Sequence, residues 1–301
     1  MSMRFKAHCA LLTCAFLWGI TFVVVKNTLA DISVFGYLAA RFSLGALPMA
    51  WIYRSGLRKL TRRDIGAGTL LGLFMFGGYA FQTAGIARTT PSKAAFITGF
   101  SVVLIPVFLA IVWRRKINAW AWGGALASFA GLYFLTVPRQ GIADLNRGDL
   151  LVMCCAVLYA LQIIFIERYS ATHSIAGLSF LQVLVTAGLS FAAIPIFHAA
   201  GWETFHIHFS SQMVFGVIVT AIFTTALAYP LLVWSQRHTS ATNVALILAA
   251  EPVFAAITSF LVVHERLGTR ALIGAGLILA GIVVAELKGH APGVLDDPIN
   301  V

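Results

Sequence analysis

Long apolar runs separated by short polar breaks make up almost the whole sequence. A run of about 20 apolar residues is long enough to cross a bilayer as a helix. Such runs predict ten membrane spans, at residues 7–29, 33–53, 65–87, 92–113, 118–138, 148–167, 175–199, 212–236, 241–263 and 268–287. Because the breaks are too short to hold a soluble domain, the pattern predicts an all-α integral membrane protein.

The second half of the sequence repeats the first. At an offset of 150 residues, 89–95 align without a gap on 239–245, and Tyr79 aligns on Tyr229. The matches include small residues and turn residues as well as common aliphatic ones, which favours a duplicated unit over chance. Glycines of the fifth and tenth spans, which predict close helix packing, are Gly123, Gly124, Gly131, Gly274, Gly276 and Gly281.

The duplication predicts how the chain is organised. We expect a first repeat at residues 1–140, a second repeat at 141–290 and a disordered tail at 291–301. Each repeat holds five spans, an odd number, so the two copies must cross the bilayer in opposite directions. Two inverted five-helix repeats around a central cavity form a design found in secondary transporters, which bind substrate near the membrane midplane.

Composition fits a membrane protein and does not favour a nucleic-acid-binding one. Of the 301 residues, 59% are hydrophobic and 11% are charged, whereas about 25% of an ordinary soluble chain is charged. The net charge is +10, but Lys and Arg lie in short clusters between the apolar runs, a pattern that sets membrane topology. Lys and Arg are in excess on the side of the membrane that holds the N-terminus, and this excess comes almost wholly from the first half of the chain. It predicts an inner (plasma) membrane protein with both termini in the cytoplasm.

Two charged residues lie deep inside predicted spans, where a charge costs about 3 kcal/mol or more and marks a functional site by default. Glu251 lies near the centre of the ninth span beside Pro252, which we expect to loosen that helix. Arg41 lies inside the second span, at the repeat position of Gln182, and Glu251 is the carboxylate best placed to neutralise it. Two interpretations stay open: a permanent structural ion pair, or a pair beside the cavity that changes partners with substrate or protons.

Polar and aromatic side chains inside the spans are candidates for substrate binding. A single aromatic ring in a span more often packs against lipid or a neighbouring helix than forms a site. Matched repeat positions favour a cavity here, since Trp18 aligns on Tyr159 at an offset of 141 residues and Tyr79 on Tyr229 at 150. The predicted substrate-binding residues are Trp18, Arg41, Tyr79, Gln82, Phe96, Tyr159, Gln162, Gln182, Tyr229, Asn243 and Glu251.

No motif in the sequence indicates another kind of chemistry. His198, His206 and His208 lie with Glu203 in one external loop but lack the spacing of a metal site, so no metal is expected. There is no nucleotide-binding loop, nucleophile elbow or zinc-protease helix, and we expect no cofactor and no enzymatic activity. The expected partners are a small-molecule substrate and the lipid bilayer, not nucleic acid, with a homodimer left open.

Several of these residues resemble a known family. They are the Trp18-Gly19 pair, the Arg41-Phe42 pair, the Glu251-Pro252-Val253-Phe254-Ala255-Ala256 run, the His264-Glu265-Arg266-Leu267 turn and the segment from Gly274 to Gly281. The chain resembles the EamA type of the drug/metabolite transporter superfamily, in which such a segment occurs twice. The resemblance covers nearly the whole chain and is looser in the first copy, where Ser101-Val102 replaces Glu-Pro. It implies ten helices, a central cavity and export of small metabolites, often amino acids.

Together with this resemblance, the sequence predicts an inner-membrane secondary transporter that exports amino acids or similar small metabolites by alternating access. The absence of a nucleotide-binding motif argues against direct ATP drive, while proton-coupled and facilitative modes stay open. Two other classes of protein also stay open. An intramembrane lipid-processing enzyme would need a nucleophile with a base, or a metal, at one depth. A non-transporting subunit of a membrane complex would move no solute when purified.

Overall fold

A computed structural model describes residues 2–137, 146–263 and 268–288. Over these ranges the regular structure is helical, apart from one isolated β-bridge between Ile32 and Ile207. The helices are α1 (Met3–Gly19), α2 (Thr21–Thr28), α3 (Val34–Ile52), α4 (Arg54–Leu57), α5 (Arg62–Arg88), α6 (Pro91–Gly99), α7 (Ser101–Ile111), α8 (Ala119–Thr136), α9 (Arg147–Ser170), α10 (Ile175–Ala199), α11 (Ser211–Ala221), a π-helical segment (Ile222–Leu227), α12 (Ala228–Gln236), α13 (Ala241–Leu248), α14 (Glu251–Val263) and α15 (Thr269–Lys288). The predicted tail at 291–301 and the turn at 264–267 lie outside the described residues.

Helices that are long and apolar enough to cross a membrane dominate this architecture. Seven spans qualify by length and composition among the described residues: Met3–Thr28, Arg62–Arg88, Lys93–Ile111, Arg147–Ser170, Ile175–Ala199, Ser211–Gln236 and Ala241–Thr258. The helices α3, α8 and α15 coincide with the other three predicted spans but are not among the seven, so ten spans stay a prediction. Large apolar side chains such as Leu47 and Phe215 are exposed on the outer surface. The chain is therefore a multi-pass membrane protein.

Several predicted spans are not continuous helices. The fourth span divides at Phe100 into α6 and α7, and the ninth divides at Ala249 and Ala250 into α13 and α14. These two breaks are equivalent, because Phe100 aligns on Ala250 at the 150-residue offset. The first span also divides, at Ile20, and the eighth contains the π-helical segment. Hydrophobic periodicity does not predict these interruptions, since the apolar run continues through each of them.

The helix of the ninth span is interrupted immediately before Pro252, the residue expected to loosen it. Glu251 is the first residue of α14 and Pro252 the second. Backbone N–H groups in the first turn of a helix have no partner inside that helix, so a proline there removes no hydrogen bond. The helix is interrupted before the proline, where α13 ends at Leu248. Pro252 therefore lies in the first turn of α14, and the interruption of the span lies on its N-terminal side.

The helices α8 and α15 cross where both carry glycine. A Cβ on Gly131 would lie 2.5 Å from the carbonyl oxygen of Gly274, and a Cβ on Gly124 would lie 2.7 Å from that of Gly281. The repeat alignment matches Gly124 with Gly274 and Gly131 with Gly281, so it converts each contact into the other. Going forward along α8 from Gly124 to Gly131, the contacts go backward along α15 from Gly281 to Gly274. The equivalent helices are therefore antiparallel and pack backbone to backbone, as the predicted role of these four glycines requires. Gly123 and Gly276 differ, since a Cβ on either would meet nothing within 4 Å.

The loop between α10 and α11 is fastened to the start of α3. Both carboxylate oxygens of Glu203 accept hydrogen bonds from the first N–H groups of α3, those of Val34 at 2.6 Å and Phe35 at 3.2 Å. A carboxylate is favourable at this position because it meets unpaired N–H groups and the positive end of the helix dipole. The backbone of His206 accepts from Ser33 N–H at 3.1 Å. Glu203 therefore caps a helix.

Candidate functional site

A cavity of about 110 Å³ lies where residues of both repeats meet. That volume holds several water molecules. It is bounded in part by the residues at the two equivalent breaks, Gly99 and Ser101 on one side and Ala249 on the other. Eight of the predicted substrate-binding residues line it: Trp18, Arg41, Tyr79, Gln82, Tyr159, Gln162, Tyr229 and Glu251. Among the described lining residues, Arg41 and Glu251 alone are charged.

Four aromatic side chains form a symmetric cluster in the wall of this cavity. The rings of Trp18 and Tyr229 have centroids 5.7 Å apart, and those of Tyr159 and Tyr79 lie 5.5 Å apart. The repeat alignment matches Trp18 with Tyr159 and Tyr79 with Tyr229, so the first contact is the repeat equivalent of the second. The hydroxyls of Tyr79 and Tyr229 are joined by a hydrogen bond of 3.0 Å. Because this bond joins two equivalent residues, it lies on the pseudo-two-fold axis that relates the repeats.

Arg41 is buried in a cage of hydroxyl groups. Its side chain is on α3, and the residue is 3% exposed. Nε donates to Thr225 Oγ1 at 3.1 Å, Nη1 to the Tyr37 hydroxyl at 3.3 Å, and Nη2 to the Tyr79 hydroxyl at 3.2 Å and Thr224 Oγ1 at 2.8 Å. The guanidinium also lies 4.7 Å from the centroid of the Tyr79 ring. All of these partners are neutral, so they engage four of the five N–H donors of Arg41 without cancelling its charge.

The π-helical segment supplies half of this cage. A π turn contains one residue more than an α turn and leaves its carbonyls poorly paired, which is one reason that such segments are common at functional sites. Here the carbonyl of Thr224 accepts a hydrogen bond of 3.0 Å from Trp18 Nε1. The hydroxyl of the same residue accepts from Arg41, as does that of the adjacent Thr225. The irregular segment thus holds an aromatic ring and the guanidinium in fixed positions.

Glu251 lines the same cavity and has no hydrogen-bond or ion-pair partner among the described residues. The predicted ion pair with Arg41 is wrong: the two side chains are not within 4 Å, and neither has a salt bridge among the described residues. No hydrogen bond to the Glu251 carboxylate occurs there either. The reason is position, since Glu251 starts α14 and its backbone lies directly against Gly19 at the end of α1. Arg41 is instead turned towards the π-helical segment.

Uncharged polar groups connect the rest of the cavity wall. The Tyr159 hydroxyl donates to Gln82 Oε1 at 3.1 Å, and Gln82 Nε2 lies 3.4 Å from Thr98 Oγ1 on α6. On the second repeat, Gln162 Nε2 donates to Gln182 Oε1 at 2.8 Å. The hydrogen bonds of Gln82 therefore join α5, α6 and α9, and that of Gln162 joins α9 and α10.

Three predicted site residues lie outside the cavity lining. Phe96 stacks on Phe129 at a centroid distance of 5.3 Å, so it packs α6 against α8. Asn243 lies in the first turn of α13, where its N–H donates to the capping hydroxyl of Ser240 at 3.3 Å. Gln182 is fully buried behind Gln162, and its Nε2 has no hydrogen-bond partner in the part of the chain that the structure describes.

Of the four residues that hold Arg41, sequence reasoning predicted Tyr79 and missed Tyr37, Thr224 and Thr225. Thr224 and Thr225 lie in an apolar run, and threonine in a membrane helix is usually explained by bonding to its own backbone. Tyr37 was detectable, because it lies one turn before Arg41 on the same helix and faces the same side. Ser101 was detectable as the repeat equivalent of Glu251, whereas nothing in the sequence marks Thr98. No cluster of three metal-ligating side chains occurs among the residues described.

The family of the chain is decided by comparison with known proteins. The pattern of the EamA-like transporter family matches residues 5–137 and matches again at residues 146–287. The chain belongs to the EamA-like transporter family. The two matches correspond to the two halves that share the cavity, so the duplication inferred from the sequence is also a duplication of the EamA unit.

Relatives of this EamA protein are named as transporters. A protein of Archaeoglobus fulgidus named an uncharacterized transporter is 32% identical over 285 residues, covering 95% of this chain and 87% of its own. The uncharacterized transporter YoaV of Bacillus subtilis is 22% identical over 295 residues, covering 92% and 95%. A solved crystal structure of a protein superposes with a TM-score of 0.78 at 19% identity, covering 95% of this chain and 98% of the other. That likeness concerns the fold alone.

Proposed function

We propose that this EamA protein is an inner-membrane secondary transporter that exports amino acids or similar small metabolites by alternating access. One observation carries the proposal: a cavity shared by both repeats holds a buried guanidinium and a partly buried carboxylate that do not neutralise each other. Isolated charges in a membrane interior are costly and are kept where they serve transport. The half-helix ends at this cavity add backbone groups that a substrate can bind.

The proposal includes ten spans with both termini in the cytoplasm. The antiparallel contact of α8 with α15 supports it, because equivalent helices of inverted repeats must run in opposite directions. The equivalent helices α3 and α10 give further support. The ring of Phe35 at the start of α3 lies 4.4 Å from that of Phe197 at the end of α10, so these two helices also run in opposite directions. An enzyme is the weaker alternative, since the described cavity lining holds no nucleophile paired with a base.

Counterflow into proteoliposomes tests transport directly. Purified protein in vesicles preloaded with one solute is expected to accumulate the labelled form of that solute, because exchange needs no external energy. The panel is amino acids, nucleosides and organic cations, each with and without a pH gradient, which separates a proton-coupled from a facilitative mode. Protein-free vesicles are the control. If folded protein moves no solute in the panel, the transporter proposal fails and a non-transporting subunit becomes the better explanation.

Reporter fusions test the topology independently of substrate. A reporter active only in the cytoplasm is expected to be active when fused after Lys288 and inactive when inserted in the 200–210 loop. The reason is that ten spans return the chain to the side on which it starts. A reporter active only outside the membrane is the matched control at each site. An external C-terminus would contradict the ten-span arrangement and the inverted repeat together.

A further inference from the structure

We propose that residues 54–63, together with the exposed apolar residues that flank them, bind an anionic phospholipid. This basic segment joins α3 to α5 and contains α4. It lies outside the lining of the central cavity. Half of its residues are cations, and all of these are exposed: Arg54, Arg58, Lys59, Arg62 and Arg63.

The basic segment is held in place by its inner side. Leu60 packs directly on Gly177 in the first turn of α10, where an added Cβ would collide with it. At the end of the segment, Asp64 accepts a hydrogen bond of 3.3 Å from Ser174 N–H, just before the same helix. Thr61 and Asp64 also cap the start of α5. The segment is therefore anchored to α10, and its cations are left on the outside.

The protein does not neutralise the charge of the basic segment. None of its five cations forms a salt bridge among the described residues. Asp64, the nearest acidic residue in the sequence, is buried, and its oxygens accept hydrogen bonds from Thr61 and Ser174. Arg62 and Arg63 begin α5, at the end of the helix where the dipole disfavours cations. A concentrated positive charge is thus available to an external anion.

Exposed apolar side chains flank these cations. Trp51 and Ile52 at the end of α3 are 70% and 61% exposed, and Ile65 in the first turn of α5 is exposed as well. The Arg54 guanidinium lies 5.6 Å from the centroid of the Trp51 ring, so a cation and an apolar surface are adjacent. Tryptophan is enriched at the level of lipid headgroups. The pairing fits a phospholipid, whose phosphate meets the cations while its acyl chains cover the apolar side chains.

The second repeat shows that the fold does not require this charge. Its connection between α10 and α11 joins the equivalents of α3 and α5, and it contains no Lys or Arg. Scattered Lys and Arg are enough to set membrane topology. A cluster of about four to eight of them beside a membrane helix is typical of anionic-lipid binding. The concentration of cations on one anchored surface therefore points to a ligand.

Native mass spectrometry of the purified full-length protein, released from detergent micelles, tests the proposal. The probes are phosphatidylglycerol and phosphatidylcholine with the same acyl chains, so the two lipids differ in headgroup charge. The first phosphatidylglycerol is expected to bind about 30-fold more tightly than the first phosphatidylcholine, because each cation near a lipid surface contributes about fivefold. Glycerophosphoglycerol, which is the same headgroup without acyl chains, should bind about tenfold or more weakly than the lipid.

Paired variants locate the site. Arg62→Gln/Arg63→Gln should weaken phosphatidylglycerol binding by about tenfold or more and leave phosphatidylcholine binding unchanged. The matched control is Arg88→Gln/Arg147→Gln. Arg88 ends α5, about 40 Å along the helix from Arg62, and lies against Gly148, the neighbour of Arg147. This control removes the same charge and should keep the lipid preference. All four arginines are exposed and glutamine has a similar helix propensity, so both variants should fold.

Three results would overturn the proposal. Equal affinities for the two lipids would show that headgroup charge is not recognised. Equal losses in the two paired variants would show that net charge, rather than the basic segment, attracts the lipid. Binding of glycerophosphoglycerol or inorganic phosphate as tightly as the lipid would show that the occupant is a soluble phosphate compound.

Discussion

Replacement of Arg41 by methionine is expected to abolish transport while leaving the folded protein at least as stable as before. The guanidinium is desolvated and has only neutral partners. Replacing buried ionic groups by apolar ones of similar size is often neutral or stabilising by about 1–4 kcal/mol. Arg41 is the only cation in the described cavity lining. We expect its loss to remove a charged contact with the substrate and to lower transport by about 100-fold or more.

Two measurements on the same preparation check this expectation. The thermal midpoint in detergent should stay the same or rise, and initial counterflow rates should fall to the background of protein-free vesicles. Tyr37→Phe is the matched control, because it removes one hydroxyl of the cage and keeps the charge. Transport by Arg41→Met at the original rate would contradict a role in binding. A large fall in the midpoint would instead show that Arg41 holds the bundle together.

Gly131→Val is expected to prevent assembly of the bundle. A Cβ at this position would lie 2.5 Å from the carbonyl oxygen of Gly274 and 2.8 Å from the backbone nitrogen of Ile278. The obstacle is backbone, which cannot rotate away as a side chain does, so α8 and α15 would have to separate. We expect a loss of about 3 kcal/mol or more, at the upper end of overpacking effects, seen as a low yield of monodisperse protein from membranes.

Gly123→Val provides the control on the same helix. The change in helix propensity is the same at both positions, but a Cβ on Gly123 meets nothing within 4 Å. This variant should therefore purify and melt like the original protein. Equal yields and midpoints for the two variants would show that the close contact of α8 with α15 is not required.

Sequence reasoning identified the parts of the fold that depend on composition and period. Apolar runs of bilayer length located the helices, and matched positions such as Tyr79 and Tyr229 identified residues that the structure brings into hydrogen-bond contact. The repeat alignment succeeded because equivalent residues in a two-fold arrangement must lie at equivalent distances from its axis. Residues that coincide in the alignment and lie near the axis are bound to meet.

The details of the site depend on features that one-dimensional patterns do not contain. The breaks at Phe100 and at Ala249 fall within continuous apolar sequence. The backbone N–H groups there bond to carbonyls of the preceding turn, so no polar side chain marks the breaks in the sequence. The ion pair of Arg41 with Glu251 was inferred from depth alone. Depth gives no rotational position about a helix axis, and the π-helical segment offered Arg41 hydroxyl partners that were nearer.

The hydrogen bond between Tyr79 and Tyr229 has a mechanical consequence. Points on a two-fold axis stay in place when the two halves exchange their shapes, whereas contacts away from the axis are converted into their counterparts. A transport cycle in which the two repeats exchange conformations would therefore keep this hydrogen bond between hydroxyls intact, as a fixed point about which the repeats move. The contacts of Trp18 with Tyr229 and of Tyr159 with Tyr79 would trade places around it, so a substrate held beside this fixed point would barely move while access to it passed from one side of the membrane to the other.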